Sequence, residues 1–182
     1  YGSAINAGLG SNNKVMTLKN TEFHMNYANI GGAFSWRGSA GKVVVNNTTF
    51  LDNKGFSDGA AIQNSDGTAK FTIINSTFSK NESFGIGSAI LNSGEEAEFK
   101  VAYNTFATNN SNGNGGAFTS VSPMAGVPSV LENNIFSQNI GGDCNLASTV
   151  NFTMTNNLSD DGTCGNIVAT GVDALAINNG GS

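Results

Sequence analysis

Four glycines in this chain fall at one fixed interval: Gly31, Gly59, Gly87 and Gly115 are each 28 residues apart. Each opens a small-residue tetrad, GGAF at 31–34, GAAI at 59–62, GSAI at 87–90 and GGAF at 115–118, and another GSAI at 2–5 lies 29 residues upstream of Gly31. A second marker, F-x-x-N, travels with the first at Phe23/Asn26, Phe50/Asn53, Phe78/Asn81, Phe106/Asn109 and Phe136/Asn139. A period of this length marks an array in which each repeat is buried only by its neighbours, so length counts repeats rather than domains.

Within one repeat the apolar residues are phased for strands. In the block from Gly59 to Phe84, GAAIQN reads as a short strand, SDGT as a turn, and AKFTIIN and STFSKN as two further strands before the next glycine. Counting back five and seven positions from each phenylalanine gives the inward pairs Met16/Leu18, Val43/Val45, Phe71/Ile73, Phe99/Val101 and Ser129/Leu131. All but Ser129 are apolar, as the core face of a half-buried strand requires. The sequence therefore predicts a right-handed parallel β-helix of five regular coils over residues 1–140. An irregular terminal coil and tail at 141–182, in the same domain, follows. Stacking at about 4.8 Å per coil sets the phenylalanines above one another and brings the F-x-x-N amides within reach of their copies, as in cross-β assemblies. Asn20, Asn47, Asn75 and Asn133, three residues before each phenylalanine with Tyr103 as the exception, read as a second structural column. The leading glycine reads as a tight corner that a β-carbon obstructs.

Asparagine, at 28 residues, outnumbers all 21 charged side chains. The net charge of −5, with one arginine (Arg37) and seven scattered lysines, argues against a nucleic-acid partner, which needs a basic stripe. No apolar run reaches the ~18 residues of a membrane-spanning helix. The chain opens on Tyr1 with the repeat already under way at Gly2, and reads as a processed product or a piece of something longer. Cys144 and Cys164 lack companions for a zinc site. A disulfide closing the irregular end, and with it an oxidising compartment, is the expectation, two unpaired thiols being the alternative. Seven N-x-S/T sequons begin at Asn46, Asn47, Asn75, Asn81, Asn109, Asn151 and Asn157, as this composition makes common.

The tetrads alternating with F-x-x-N resemble the repeats of polymorphic outer-membrane proteins and related bacterial right-handed β-helix surface proteins. NNIFSQNIGGDC at 133–144, DGTCG at 161–165 and NNGG at 178–181 are similar to the carboxyl end of choice-of-anchor secreted β-helix proteins. The resemblance implies a fold and a bacterial-type secreted or cell-surface location. It implies no single activity, because this architecture carries adhesins, autotransporter passengers and polysaccharide enzymes alike.

Chemistry is sparse by comparison. Lyases of this shape need an acidic cluster and a base on one face, and glycosidases need paired carboxylates. The columns expected to point outward after each tetrad, Ser35/Gln63/Leu91/Thr119 and Arg37/Ser65/Ser93/Val121, hold no acid. Asp52, Asp58, Asp66, Glu95, Glu96, Glu98, Asp160 and Asp161 fall in turns and read as solvated. His24, Trp36 and Arg37 occupy adjacent coils, where a sugar-stacking tryptophan is the sharp reading and a tryptophan packed near an end or loop the bland one. Asp160-Asp161-Gly162 matches no calcium loop. The threonine row Thr49/Thr77/Thr105 is broken by Glu22 and Ile135, too short for an ice-facing array. No catalytic, metal or cofactor site is assigned. The expected role is a non-catalytic structural or adhesive module that contacts glycans or proteins and stacks end to end into a longer rod, with a carbohydrate-active enzyme as the alternative.

Overall fold

The structure, a computed structural model, describes residues 2–8, 14–38, 40–65, 68–94, 96–112, 115–121, 127–147, 152–165 and 167–168. Asp66, Glu95, Asn151 and the expected tail beyond residue 168 lie outside the described residues. Every described strand pairs in parallel and no helix is present among them.

The first coil comprises β1 (Ile5–Ala7), β2 (Val15–His24) and β3 (Tyr27–Ile30), and the second β4 (Phe34–Trp36), β5 (Lys42–Leu51) and β6 (Lys54–Asp58). The third comprises β7 (Ile62–Asn64), β8 (Lys70–Ile74), β9 (Thr77–Ser79) and β10 (Glu82–Ser83), and the fourth β11 (Ile90–Asn92), β12 (Glu98–Ala102), β13 (Thr105–Ala107) and β14 (Asn110–Ser111). Then follow β15 (Phe118–Ser120), β16 (Ser129–Glu132), β17 (Ile135–Ser137), β18 (Cys144–Leu146), β19 (Phe152–Thr155), β20 (Leu158–Ser159) and β21 (Ile167–Val168). Equivalent strands stack into three walls. The first runs β1-β4-β7-β11-β15-β18 and the last β3-β6-β10-β14. The second wall is bent: β2 and β5 cross it whole, whereas later coils cross it as two strands. The third wall is an addition to the sequence reading, which ran straight from the F-x-x-N strand to the next glycine. The five phenylalanines bound four intervals, so the regular stack makes about four full turns rather than the five expected.

Register is kept column by column. Phe23, Phe50, Phe78, Phe106 and Phe136 pair in sequence across five coils. Their rings lie 4.6–4.9 Å apart and within 7° of parallel. Val43, Phe71 and Phe99 form a second file, and Phe34, Ile62, Ile90 and Phe118 a third. Of the inward pairs all are buried except Met16, which is partly covered beside the first edge. Each such side chain contributes about 1.5–3 kcal/mol on leaving water, so the core is a sum of near-equal coil-to-coil increments.

The bends are made by left-handed residues. Asn20, Asn47, Asn75, Tyr103, Asn133 and Asn156 have φ between 51 and 58° except Asn47 at 49°, and they fold the second wall. Met25, Asp52, Lys80, Thr108 and Gln138, at φ 52–54°, turn the chain into the third wall. A third bend is the periodic glycine: Gly59 has φ +59°, and a Cβ there would lie 2.9 Å from the Cβ of Gln63. The same 2.9 Å approach recurs between Gly31 and Ser35 and between Gly87 and Leu91. The glycine thus makes room for the side chain four residues on.

That packing corrects one expectation. Ser35, Gln63, Leu91 and Thr119 do not face solvent; all are buried, folded back under the glycine corner. Trp36 is corrected too: it sits in the body of the second coil, fully buried, edge-on to Phe71 at 6.4 Å, with its indole N–H donating to the Gly38 carbonyl. A buried indole has no sugar-stacking face.

Candidate functional site

The most ordered polar feature is the file of F-x-x-N amides. Nδ2 of Asn26, Asn53, Asn81 and Asn109 donates to Oδ1 of the next asparagine at 2.8–3.0 Å. The backbone N–H of each of the four donates to that same oxygen. Nδ2 of Asn53, Asn81, Asn109 and Asn139 also donates back to the carbonyl of the preceding coil's phenylalanine. Interior amides therefore have every donor and acceptor occupied, which a buried amide needs.

A second buried file runs one residue after the column picked from sequence. Thr48 N–H donates to Ser76 Oγ, Ser76 N–H to Asn104 Oδ1, Asn104 N–H to Asn134 Oδ1 and Asn134 N–H to Asn157 Oδ1. Sequence reasoning missed it because Thr, Ser and Asn share only the ability to accept an N–H. Asn81, Asn109 and Asn157 are fully buried, so these three sequons are closed to glycosylation in the folded chain.

Both files run in one direction and end differently. At the carboxyl end Asn139 Nδ2 donates to Asp143 Oδ1 at 2.8 Å, and Asn157 Nδ2 to the Cys164 carbonyl at 3.0 Å. The outward N–H groups of Asp143 and Cys144 are taken by Asp161 Oδ2 and Thr163 Oγ1. Cys144 and Cys164 are disulfide-bonded, tying this closing segment to β18. At the amino end, among the described residues, no donor reaches Asn26 Oδ1 and no strand pairs with the outer edges of β1, β2 and β3.

Asp143, Asp160 and Asp161 bring ligand oxygens within 4.8 Å of one another. That is closer than the roughly 5–5.5 Å or more between glycosidase carboxylates, and these oxygens already serve the chain. Fully buried Asp143 accepts from Asn139, Ser159 and the Asp160 N–H. Asp161 accepts from Ser159, Thr163 and the Asp143 N–H, and Asp160 from the Gln138 N–H. The cluster is accordingly a hydrogen-bonded plug.

Burial pushes the Asp143 carboxyl up from 3.8 to about 6, with Asp161 and Asp160 adding to the rise and hydrogen bonds from Asn139 and Ser159 opposing it. For Asp161 burial also acts upward, but hydrogen bonds from Thr163, Asp143 and Ser159 outweigh it and hold the group below its ordinary value. The raised group holds its proton more tightly when folded, so its contribution is full below about 3.8 and is lost as pH climbs through about 6. The lowered group contributes above its ordinary value and loses that as pH falls. The plug is expected to be tightest near about pH 4–5. Amide exchange at Asp143 and Cys144, corrected for intrinsic rate, is expected to be severalfold faster at about pH 8 than at about pH 5. Equal protection at both would refute the assignment.

Other candidates are dispersed. Exposed His24 lies 3.8 Å from Glu22 and 3.6 Å from Asp52, whereas Arg37 is exposed on the far side of Trp36 in sequence and joins neither. Asp58 holds a corner, accepting from the Ile86 N–H and Ser57 Oγ. On the third wall, Phe56 and Phe84 stack at 5.8 Å although they are 55% and 50% exposed. Beside them Lys54 pairs with Glu82 at 2.6 Å, a hydrogen bond that raises the lysine pKa. The 28-residue spacing of these two phenylalanines was the available signal, but they lie outside the F-x-x-N phase.

Among the described residues, fold and site together define a parallel β-solenoid whose two amide files end in a hydrogen-bonded plug at the carboxyl side. No family model matches the chain, and no curated protein and no solved structure matches it significantly. The surface-protein resemblance therefore rests on its motifs alone.

Proposed function

We propose that the protein is a secreted or cell-surface structural and adhesive β-helix module, a stiff rod that contacts glycans or proteins along its side. The observation carrying this reading is the unbroken stacking of ring and amide files through five levels, ending in a plug at the carboxyl side. The disulfide is compatible with an extracellular setting. The exposed Phe56/Phe84 pair supplies an apolar contact patch on the third wall, where Tyr27 is also exposed.

The polarity of the amide files decides how such a rod lengthens. Among the described residues the plug takes up the donors of both amide files at the carboxyl side, which disfavours end-to-end stacking of copies through those files. A longer rod instead takes a parallel coil on the amino end, whose donors meet Asn26 Oδ1.

The test is a fusion that places a copy of residues 59–86 directly before Gly2. Gly2-Ser3-Ala4-Ile5 repeats Gly87-Ser88-Ala89-Ile90, so the joint is native-like and the copied Asn81 and Phe78 fall over Asn26 and Phe23. The thermal midpoint is expected to rise by about 4 °C or more, and Asn→Ala at the copied corner to remove most of the gain. An unchanged or lowered midpoint refutes the open-end reading. Release of reducing sugar from a glycan panel by the purified chain would overturn the non-catalytic one.

A further inference from the structure

Outside the hydrogen-bonded acidic plug, charge among the described residues follows a rule with one exception. Where a charged side chain meets one from the next coil, the signs are opposite: Lys54 with Glu82 at 2.6 Å, Lys70 with Glu98 at 2.7 Å, Lys100 with Glu132 at 3.4 Å, and His24 with Asp52 at 3.6 Å. The exception lies where the chain leaves the first wall and enters the second. Lys42 is in register with Lys70, like over like, and Lys14 lies one coil further toward the amino end, its carbonyl accepting from the Lys42 N–H. Lys14, Lys42 and Lys70 succeed one another at 28-residue intervals. Among the described residues no carboxylate pairs with Lys14 or Lys42.

The same three lysines line a cavity of about 470 Å³ together with Val15, Gly41 and Thr68. Gly41, at φ +123°, lies against the edge of the buried Trp36 ring and the Lys14 carbonyl. Lys42 over Lys70 is an in-register like pair, which destabilises a sheet, and Lys14 lies beside it one residue out of register, Val15 being the partner of Lys42, so a chain with only eight cations has gathered three of them here. Local rules broken without a compensating contact mark functional sites. The volume lies in the range of sites for small ligands.

We propose that this groove binds a carboxylated or sulfated segment of a linear glycan. The three lysines come from successive coils, Lys42 and Lys70 one coil step of about 4.8 Å apart in register and Lys14 offset by one residue, a spread that suits anionic groups recurring along a polymer better than one isolated ion. Exposed Val15 and the aliphatic lysine stems offer an apolar surface to the C–H face of a sugar ring. A nucleic acid suits the site less well, because a longer phosphate chain meets the field of a protein with net charge −5. The site is separate from Phe56/Phe84; Lys14 and Val15 belong to the first coil, but Lys42 and Lys70 do not, so it stands even if the added-coil experiment fails.

The test is calorimetric titration of the full chain with four probes: a hexagalacturonate, a sulfated hexasaccharide, maltohexaose and a single-stranded hexanucleotide. Binding is expected for one or both acidic glycans, weakening about tenfold from low to moderate salt, and not for maltohexaose. Which acidic probe binds distinguishes carboxylate from sulfate. Lys42→Glu separates a binding role from a structural one. It restores alternation of charge, so the thermal midpoint is expected to hold or rise while acidic-glycan affinity falls at least about tenfold. Lys80→Glu, outside the groove, is expected to leave affinity unchanged. The proposal is overturned by equal binding of maltohexaose, by tighter binding of the hexanucleotide, by full affinity in Lys42→Glu, or by no binding of either acidic glycan.

Discussion

Replacing Asn81 by alanine is expected to cost about 4 kcal/mol of folding stability. The side chain accepts at one oxygen from the N–H and Nδ2 of Asn53, and donates from its own Nδ2 to Asn109 Oδ1 and the Phe50 carbonyl. Asn53 is fully buried, so two donors and a carbonyl of the coil beneath lose their partner where no solvent replaces it. Each orphaned group costs about 1–3 kcal/mol. The damage extends further, because Lys80, immediately before it, is held at φ 54°. A non-glycine residue there is strained, and the amide file is what over-determines the bend. Asn75→Gly is the control: Asn75 is exposed, also left-handed at φ 51°, and outside the file, so glycine there is expected to shift stability by less than about 1 kcal/mol. Urea unfolding of both variants measures the difference. Similar midpoints for the two would show that the file does not carry the coil.

The features legible in the sequence are those that one residue type must satisfy in every coil. Only a ring fills the space above Phe50, and only glycine leaves room for the Cβ of Gln63, so both positions repeat by identity and reveal the period. Positions that share a function but not a residue type stayed hidden. Met25, Asp52, Lys80, Thr108 and Gln138 have no common chemistry, because their bend is imposed by the asparagine that follows each. The short third wall was invisible for a related reason. Its inward column is Ala28, Gly55, Ser83 and Ser111, small residues that carry no apolar alternation. The basic groove was visible as a spacing, Lys14, Lys42 and Lys70, yet a lysine beside a turn reads as solvated unless the register shows what lies above it. The buried Ser35 column was misread because alternation alone says which way a side chain leaves the strand. It does not say whether the next corner folds over it.

That corner also makes the second large effect predictable. Gly32→Ala is expected to cost about 3 kcal/mol or more, although Ala60 and Ser88 occupy the equivalent position in the next two coils. We attribute the difference from those two coils to the length of the bend, although Gly116, after a six-step bend, also meets backbone of the next coil, that of Asp143 at 2.7 Å. From the file asparagine to the periodic glycine there are six residue steps in those coils, Asn53 to Gly59 and Asn81 to Gly87, but five in the first, Asn26 to Gly31. The missing residue is taken up where the register of β3 on β6 shifts between Ala28 and Ile30. Having lost that slack, the backbone at residue 32 is drawn against the coil above. A Cβ on Gly32 would lie 2.2 Å from the Ala60 carbonyl oxygen and 2.7 Å from that of Lys54. Both are backbone atoms committed to the coil stack, so no side-chain rotation relieves the contact. Inserting one residue between Ala28 and Ile30 in the Gly32→Ala background is expected to recover much of the loss by restoring the six-step bend. Thermal unfolding of the single variant and of the insertion variant tests this directly. A Gly32→Ala chain as stable as the parent, or one the insertion fails to rescue, would mean that bend length does not govern how tightly successive coils close.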